Sequence, residues 1–264
     1  MSDTLASDHI LVERDGSIAS VVLNRPAKLN AMTKGMWHRL GDVMAELDGD
    51  EGLRCIVLRG AGGKAFSPGN DIGEFAHERS NPEQAKTYGA LVNRAMAAIS
   101  ACRHPTVALI EGICVGGGLE IAALCDMRIC GQSSRFGVPI NRLGLVMAYP
   151  EIAGLRALVG RSTALEILLE GRVFDAAEAK DKGLVNRVVP DDQVEAEAMA
   201  TARRIAAGAP LVNRWHKRFL RRLEDPAPLS QAELDEGYDC FGTADFQTGY
   251  RAFLAKRTPE FEGR

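Results

Sequence analysis

Gly116-Gly117-Gly118-Leu119-Glu120 puts two kinds of chemistry side by side. Glycines at the start of an apolar helix leave backbone N–H groups without intrahelical partners, and these groups carry the positive end of the helix dipole. Such amides can hold an oxygen as it becomes negative. Glu120 follows within one helical turn and can carry a proton. The run lies where an apolar strand, Thr106 to Ile110, gives way to an apolar helix, Leu119 to Cys125. Taken alone, it is equally explained by close packing at the glycines and dipole neutralisation by Glu120.

A second segment of similar character, Ala65-Phe66-Ser67-Pro68-Gly69-Asn70-Asp71-Ile72, follows the strand Arg54 to Arg59. It offers another glycine-permitted bend and another free N–H, at Asn70. Two such amides could serve one carbonyl oxygen. Between the two segments, Gly60-Ala61-Gly62-Gly63-Lys64-Ala65 fits the loose G-x-G-x-x-A form of a dinucleotide fingerprint. Ser67-Pro68-Gly69 follows it instead of a helix, so no dipole awaits a pyrophosphate and no NAD or ATP site is expected.

The elements that must position these residues alternate through the first half of the chain. Strands are expected at Ile10 to Arg14, Ile18 to Leu23, Cys55 to Leu58, Val107 to Ile110 and Asp126 to Cys130, with a helix over Thr33 to Leu47. Asn81-Pro82-Glu83-Gln84 opens another helix with an N-cap, a first-turn proline and a capping-box glutamine, and that helix ends before His104-Pro105. After about Tyr149 the chain turns helical, with capping patterns at Thr163-Ala164-Leu165-Glu166 and Asp175-Ala176-Ala177-Glu178. In the basic run Arg214 to Arg222, Trp215, Phe219 and Leu223 recur at helical spacing. The run therefore reads as an amphipathic helix with solvated arginines, not a nucleic-acid surface. Pro226 to Pro228 forms a break before the last section.

At 264 residues, 46% hydrophobic and 25% charged, the chain can bury a full core. One domain with a helical appendage is expected. Its formal net charge of -3 provides no field for nucleic acid or an anionic membrane. No stretch approaches the roughly 20 apolar residues of a membrane span, and Met1 to His9 has neither a basic head nor an apolar signal core. A cytoplasmic location follows as the expectation. The six cysteines lack C-x-x-C spacing and read as buried free thiols, and the five histidines form no ligand cluster, so no metal is expected.

The two glycine segments resemble those of the crotonase, or enoyl-CoA hydratase/isomerase, superfamily. Further matches run in the same order along nearly the whole chain: Asn24-Arg25-Pro26-Ala27-Lys28-Leu29-Asn30-Ala31-Met32, Phe136-Gly137-Val138-Pro139, residues 179 to 186, and the tail from Phe253 to Phe261. The resemblance implies an α/β fold, a spiral of ββα units over residues 1–200 with a helical C-terminal region over 201–264. It further implies assembly through that region as a homotrimer or dimer of trimers. It also implies an acyl-CoA substrate processed through a thioester enolate, with coenzyme A as part of the substrate and no other cofactor. By the same resemblance, Asn70 and Gly117 supply the oxyanion-hole amides and Glu120 is the acid/base. Lys28, Leu29, Ala65, Gly69, Asp71 and Ile72 match CoA-lining positions, as do Phe253 and Lys256 in the tail. Gly116, Gly117 and Ile140 are expected among the substrate-binding positions. The acyl group would meet mostly residues such as His77 to Arg79 and the helix after Asn81.

One departure stands out. Hydratases of the superfamily place a second glutamate directly after Phe-Gly-x-Pro, and here that position is Ile140, which cannot move a proton. Met147-Ala148-Tyr149-Pro150-Glu151 replaces the usual Pro-Gly-Ala-Gly-Gly. Glu120 could act alone, or with a polar group such as Asn141, Arg142, Tyr149 or Glu151. Isomerase, decarboxylase, thioesterase and non-catalytic acyl-CoA-binding roles stay open beside hydration.

Overall fold

The computed structural model describes residues 9–264. The reading of the extreme N-terminus therefore lies, up to residue 8, outside the described residues. In chain order the elements are β1 (Ile10–Asp15), β2 (Ile18–Leu23), α1 (Lys34–Asp48), β3 (Cys55–Gly60), β4 (Ala65–Ser67), α2 (Phe75–Glu78) and α3 (Pro82–Ala101). There follow β5 (Thr106–Ile110), β6 (Ile113–Val115), α4 (Gly117–Leu124), β7 (Met127–Gly131), β8 (Arg135–Gly137) and α5 (Tyr149–Glu170). The last part holds β9 (Phe174–Asp175), α6 (Ala176–Asp181), β10 (Arg187–Val189), α7 (Val194–Ala206), α8 (Pro210–Arg222), α9 (Gln231–Asp235) and α10 (Ala244–Leu254).

Two sheets interleave along the chain. The larger runs β1-β2-β3-β5-β7-β10 and the smaller β4-β6-β8-β9. Three successive pairs, β3 then β4, β5 then β6, and β7 then β8, each give one strand to the large sheet and the next to the small one before a helix follows. This repeated step is the ββα spiral. Pairing is parallel except for β1 with β2 and β8 with β9.

The large sheet is covered on both faces, as a parallel sheet requires. Alternation along β3 shows how: Ile56 and Leu58 join the cluster with α1 and α3, while Cys55 and Val57 pack against Val194, Ala198 and Ala202 of α7. The expected division at residue 200 thus falls within α7, whose buried face belongs to the sheet.

The small sheet was not anticipated. Its strands are three residues or shorter, too brief for alternation to show. The glycine run at 116 to 118 consequently follows β6, not the long strand β5. Ala65 to Ser67, expected as part of a glycine-permitted bend, is a strand, as is Arg135 to Gly137. Asn81 caps α3 through Gln84 N–H, and Asp175 caps α6 through Glu178 N–H. Thr163 caps nothing: it lies inside α5, whose break is at Gly160, φ 75° and ψ 167°.

In α8 the expected faces are only partly right. Trp215 and Phe219 are half-buried, but Leu223 is exposed. The basic residues are the attachment: Arg214 donates to the carbonyls of Glu51 and Leu53, and Lys217 pairs with Asp126 at 2.7 Å and donates to the His104 carbonyl at 2.9 Å. No described helix is long and apolar enough to cross a membrane. All six cysteines are free.

Candidate active site

The floor of the site is built by backbone groups that the loop after β2 holds in place. Asn30 is fully buried at φ 64°, a conformation asparagine tolerates. Its Nδ2 donates to the carbonyls of Ala61 at 3.0 Å and Ala65 at 2.8 Å, and its Oδ1 accepts from Arg25 N–H at 3.0 Å. Ser67 Oγ donates to the Asn30 carbonyl at 2.9 Å and accepts from Gly69 N–H at 3.1 Å. Every polar atom of this clamp is therefore used, as burial demands.

Met32 then pairs with the Asn70 segment. Its N–H donates to the Gly69 carbonyl and its carbonyl accepts from Asp71 N–H, both at 2.8 Å. These bonds flank Asn70 and turn its own N–H to the opposite side, where α4 begins. Contact there is close: a Cβ placed on Gly69, at φ 91°, would sit 2.5 Å from Gly117 N. A Cβ on Gly117 would sit 3.7 Å from Asn70 N. Only glycines allow the two bends to meet so closely. Gly116, at φ 51° and ψ -129°, swings the chain from β6 into α4. Among the described residues, the amides of Asn70 and Gly117 have no acceptor.

Trp37 braces this floor from α1. Its indole N–H donates to Asn70 Oδ1 at 2.7 Å, and its Cζ2 lies 3.3 Å from where a Gly117 Cβ would be. Nothing in the sequence singled Trp37 out, since in a helical pattern it reads simply as core. At the far end of α4, buried Arg128 donates to the carbonyls of Ala122, Cys125 and Leu184. A cation there complements the helix dipole and satisfies terminal carbonyls.

Above the floor is a cavity of about 140 Å³, lined by Asn70, Gly117, Glu120, Ile140, Glu151 and Arg79 among others. A larger cavity, about 580 Å³, lies between α3, α5 and α8, but it contains neither amide nor Glu120 and so is not the site. The Glu120 side chain is held in mostly apolar surroundings with 9% of the residue exposed. Burial pushes its carboxyl up to about 8, the negative Glu151 adds to the rise, and Arg79 opposes it. Burial also raises Glu151, against the Ala148 N–H that it accepts at 2.5 Å and the charge of Arg79. Ala148 has no side-chain acceptor, so this is half of a capping box. Arg79 is itself fixed over two rings, 4.8 Å from the Phe75 centroid and 4.9 Å from that of Tyr88.

Of the residues singled out in the sequence, Asn70, Ile72, Arg79, Gly116, Gly117, Glu120 and Ile140 line this cavity, whereas His77 does not. Gly69 makes the bend beneath it. Ala65 is buried with its carbonyl engaged by Asn30, and Asp71 is committed to Arg25 at 2.6 Å and to Gly73 N–H. The Arg25 guanidinium holds the Asp71 carboxyl below the usual carboxylate range. Both support the floor. Lys28 and Leu29 sit on an exposed turn, with Leu29 at φ 53°, while Phe253 and Lys256 are exposed at the end of α10 and do not reach the cavity. Of the four polar candidates near Ile140, Asn141 donates to the Leu169 carbonyl at 2.9 Å and Tyr149 is exposed, so only Glu151 lines the cavity.

Two glycine bends meeting beside a buried glutamate can hold an oxyanion and move a proton. The sequence model of the enoyl-CoA hydratase/isomerase family matches residues 13–264. The chain belongs to that family. It is 35% identical to the probable enoyl-CoA hydratase echA8 of Mycobacterium bovis, covering 97% of this chain and 98% of that protein. It is 31% identical to the short-chain-enoyl-CoA hydratase of Clostridium acetobutylicum, over 96% and 97% of the two chains. A crystal structure of an enoyl-CoA hydratase/carnithine racemase from Magnetospirillum magneticum superposes with a TM-score of 0.96 at 52% identity, covering 97% of this chain and 96% of that one. The spiral of ββα steps is thus the crotonase fold, and within the family this chain carries Ile140 in the cavity wall.

Proposed function

We propose that this family member processes acyl-CoA thioesters by hydrating an enoyl-CoA through an enolate. The observation that carries the reading is the pair of unengaged amides, Asn70 and Gly117, brought together over Trp37 with Glu120 one helical turn away. As water adds to the β-carbon, the thioester oxygen gains negative charge. Two preset N–H donors stabilise that charge more in the transition state than in the substrate, and each such donor contributes about 10²-fold to 10³-fold in rate. Glu120, buried and protonated at neutral pH, then delivers a proton to the α-carbon. Relatives named as enoyl-CoA hydratases support the choice of hydration.

A cavity of about 140 Å³ holds only the short reacting part of such a substrate, being well below the roughly 300 Å³ of a pocket that encloses a drug-sized ligand. The CoA moiety therefore lies outside it. Lys28 and Leu29 on their exposed turn, with Phe253 and Lys256, are the residues assigned to it; a lysine meets a phosphate without demanding geometry. Tyr238, Phe241, Tyr250 and Phe253 are exposed in the C-terminal helices, which supports assembly of that region against other copies of the chain as a trimer or hexamer. A cytoplasmic protein with coenzyme A only in its substrate completes the reading.

Ile140 favours a second reading, isomerisation, in which one carboxylate moves a proton between carbons. Turnover of 2-enoyl, 3-enoyl, 3-hydroxyacyl, malonyl-type and β-ketoacyl CoA thioesters, followed by mass, separates the two. Hydration of a 2-enoyl-CoA that disappears in Glu120→Gln is the expected result. Turnover of only the 3-enoyl member would replace hydration with isomerisation, and binding without product would make the protein an acyl-CoA carrier.

A further inference from the structure

The carboxylate missing after Phe136-Gly137-Val138-Pro139 is met from another element. Glu151 stands in the first turn of α5, where Pro150 precedes it and its carboxylate bends back onto Ala148 N–H at 2.5 Å. That bend brings the side chain to the wall of the cavity that Glu120 and the two amides line. Resting on the hydration reading above, we infer that Glu151 is the second proton carrier of this site, taking the proton from the attacking water while Glu120 supplies the one added to the α-carbon.

The two carboxyls have different surroundings, and these assign the roles. Glu120 accepts no hydrogen bond from the described residues and is almost fully buried, which favours the neutral acid. Burial raises Glu151 as well, but it is less buried than Glu120, and the amide hydrogen bond it receives and its place in the first turn of a helix favour the anion. Arg79, pinned between Phe75 and Tyr88, is the cation that faces both. The groups that set these protonation states are therefore Glu120 from α4, Glu151 and the Ala148 amide from α5, and Arg79 after α2. In the forward step a water O–H bond breaks and its proton goes to Glu151. The oxygen bonds to the β-carbon, and the π pair moves through the α-carbon onto the thioester oxygen between Asn70 and Gly117. Collapse of the enolate forms a C–H bond with the proton of Glu120. One proton passing from Glu151 to Glu120 through solvent restores the starting state.

The test compares wild type, Glu151→Gln and Glu151→Asp in two reactions: hydration of trans-2-butenoyl-CoA, and solvent-deuterium exchange at the α-carbon of butyryl-CoA, which needs no activated water. In Glu151→Gln, kcat for hydration should fall by about 10²-fold or more with KM changed little, while α-exchange slows far less. Glu151→Asp should recover part of the hydration. Removing the neighbouring charge should also move the titration of Glu120, read in the pH profile of exchange, to lower pH, as two carboxyls sharing one cavity require, while the split between hydration and exchange separates a proton carrier from a helix cap. Hydration by Glu151→Gln within about threefold of wild type would overturn the assignment and leave the hydration reading intact. Parallel loss of both reactions would overturn it as well, making Glu151 a structural cap. No hydration by wild type would take down the hydration reading and the assignment together.

Discussion

The two walls of the pocket are made in opposite ways. On the Gly69 and Gly117 side nearly every group is backbone, buried and hydrogen-bonded, and the space between segments is too small for a Cβ. On the side running from Pro139 to Glu151 the chain is open: Leu143, Val146 and Tyr149 are exposed, and the functional groups are side chains. The first wall can do one thing, holding charge on an oxygen. The second can be rewritten without disturbing the fold, and the replacement of a family glutamate by Ile140 is such a rewriting. On the proposed hydration reading, the closed wall holds the oxyanion and the open wall, with Ile140 and Glu151, selects the reaction.

Substitutions can break this contrast. The largest effect is expected for Gly117→Pro, which removes one amide donor at a first-turn helix position and sets a Cβ 3.2 Å from Gly69 and 3.3 Å from Trp37: turnover should drop by about 10³-fold or more, with secondary structure retained by circular dichroism once those neighbours shift. An active Gly117→Pro enzyme would remove the oxyanion assignment. Glu120→Gln should cost turnover nearly as much, about 10²-fold to 10⁴-fold, and it also carries a stability signature. Below the unfolded carboxyl pKa, near 4.5, both states are protonated and the residue contributes nothing. Between there and about 8 the folded state keeps a proton that the unfolded state releases, so wild type loses up to about 1.4 kcal/mol of stability per pH unit relative to Glu120→Gln. Urea denaturation of both proteins across that window should show the gap widening as pH rises. A constant gap would mean that the glutamate is not held neutral.

Trp37→Phe is a milder probe of the closed wall. It removes the indole bond to Asn70 Oδ1 and should lower kcat by about tenfold at a stability cost of about 1 kcal/mol in chemical denaturation. Smallest of all, Val146→Ser and Tyr149→Ser in the open wall should change stability by no more than about 0.5 kcal/mol. A large loss of stability in either would show that the open wall is structural after all.

The same contrast explains what could be read from the sequence. Gly69, Gly116 and Gly117 stood out because close approach or positive φ leaves glycine as the residue that fits, and Glu120 because it is the carboxylate in the helix turn that follows them. The long strands of the large sheet and the caps Asn81 and Asp175 were legible for similar local reasons. The small sheet was not, because its strands pair through long-range contacts and are too short to carry a period. Trp37 acts across the fold, through a hydrogen bond to Asn70, and no spacing along the chain encodes it; Arg79 was expected only beside the acyl group, and its charge facing Glu120 is set by the fold. The apolar spacing of α8 misled for a related reason: the helix docks through Arg214 and Lys217 onto core carbonyls and Asp126, while Leu220 and Leu223 face outward.

Incubating butyryl-CoA with the protein in deuterium oxide and following the α-carbon by mass shows whether the closed wall holds an enolate that Glu120 protonates. Deuterium should enter that carbon with wild type and be lost in both Glu120→Gln and Gly117→Pro. Bound butyryl-CoA that gains no deuterium with wild type, or exchange that persists in both variants, would contradict this assignment.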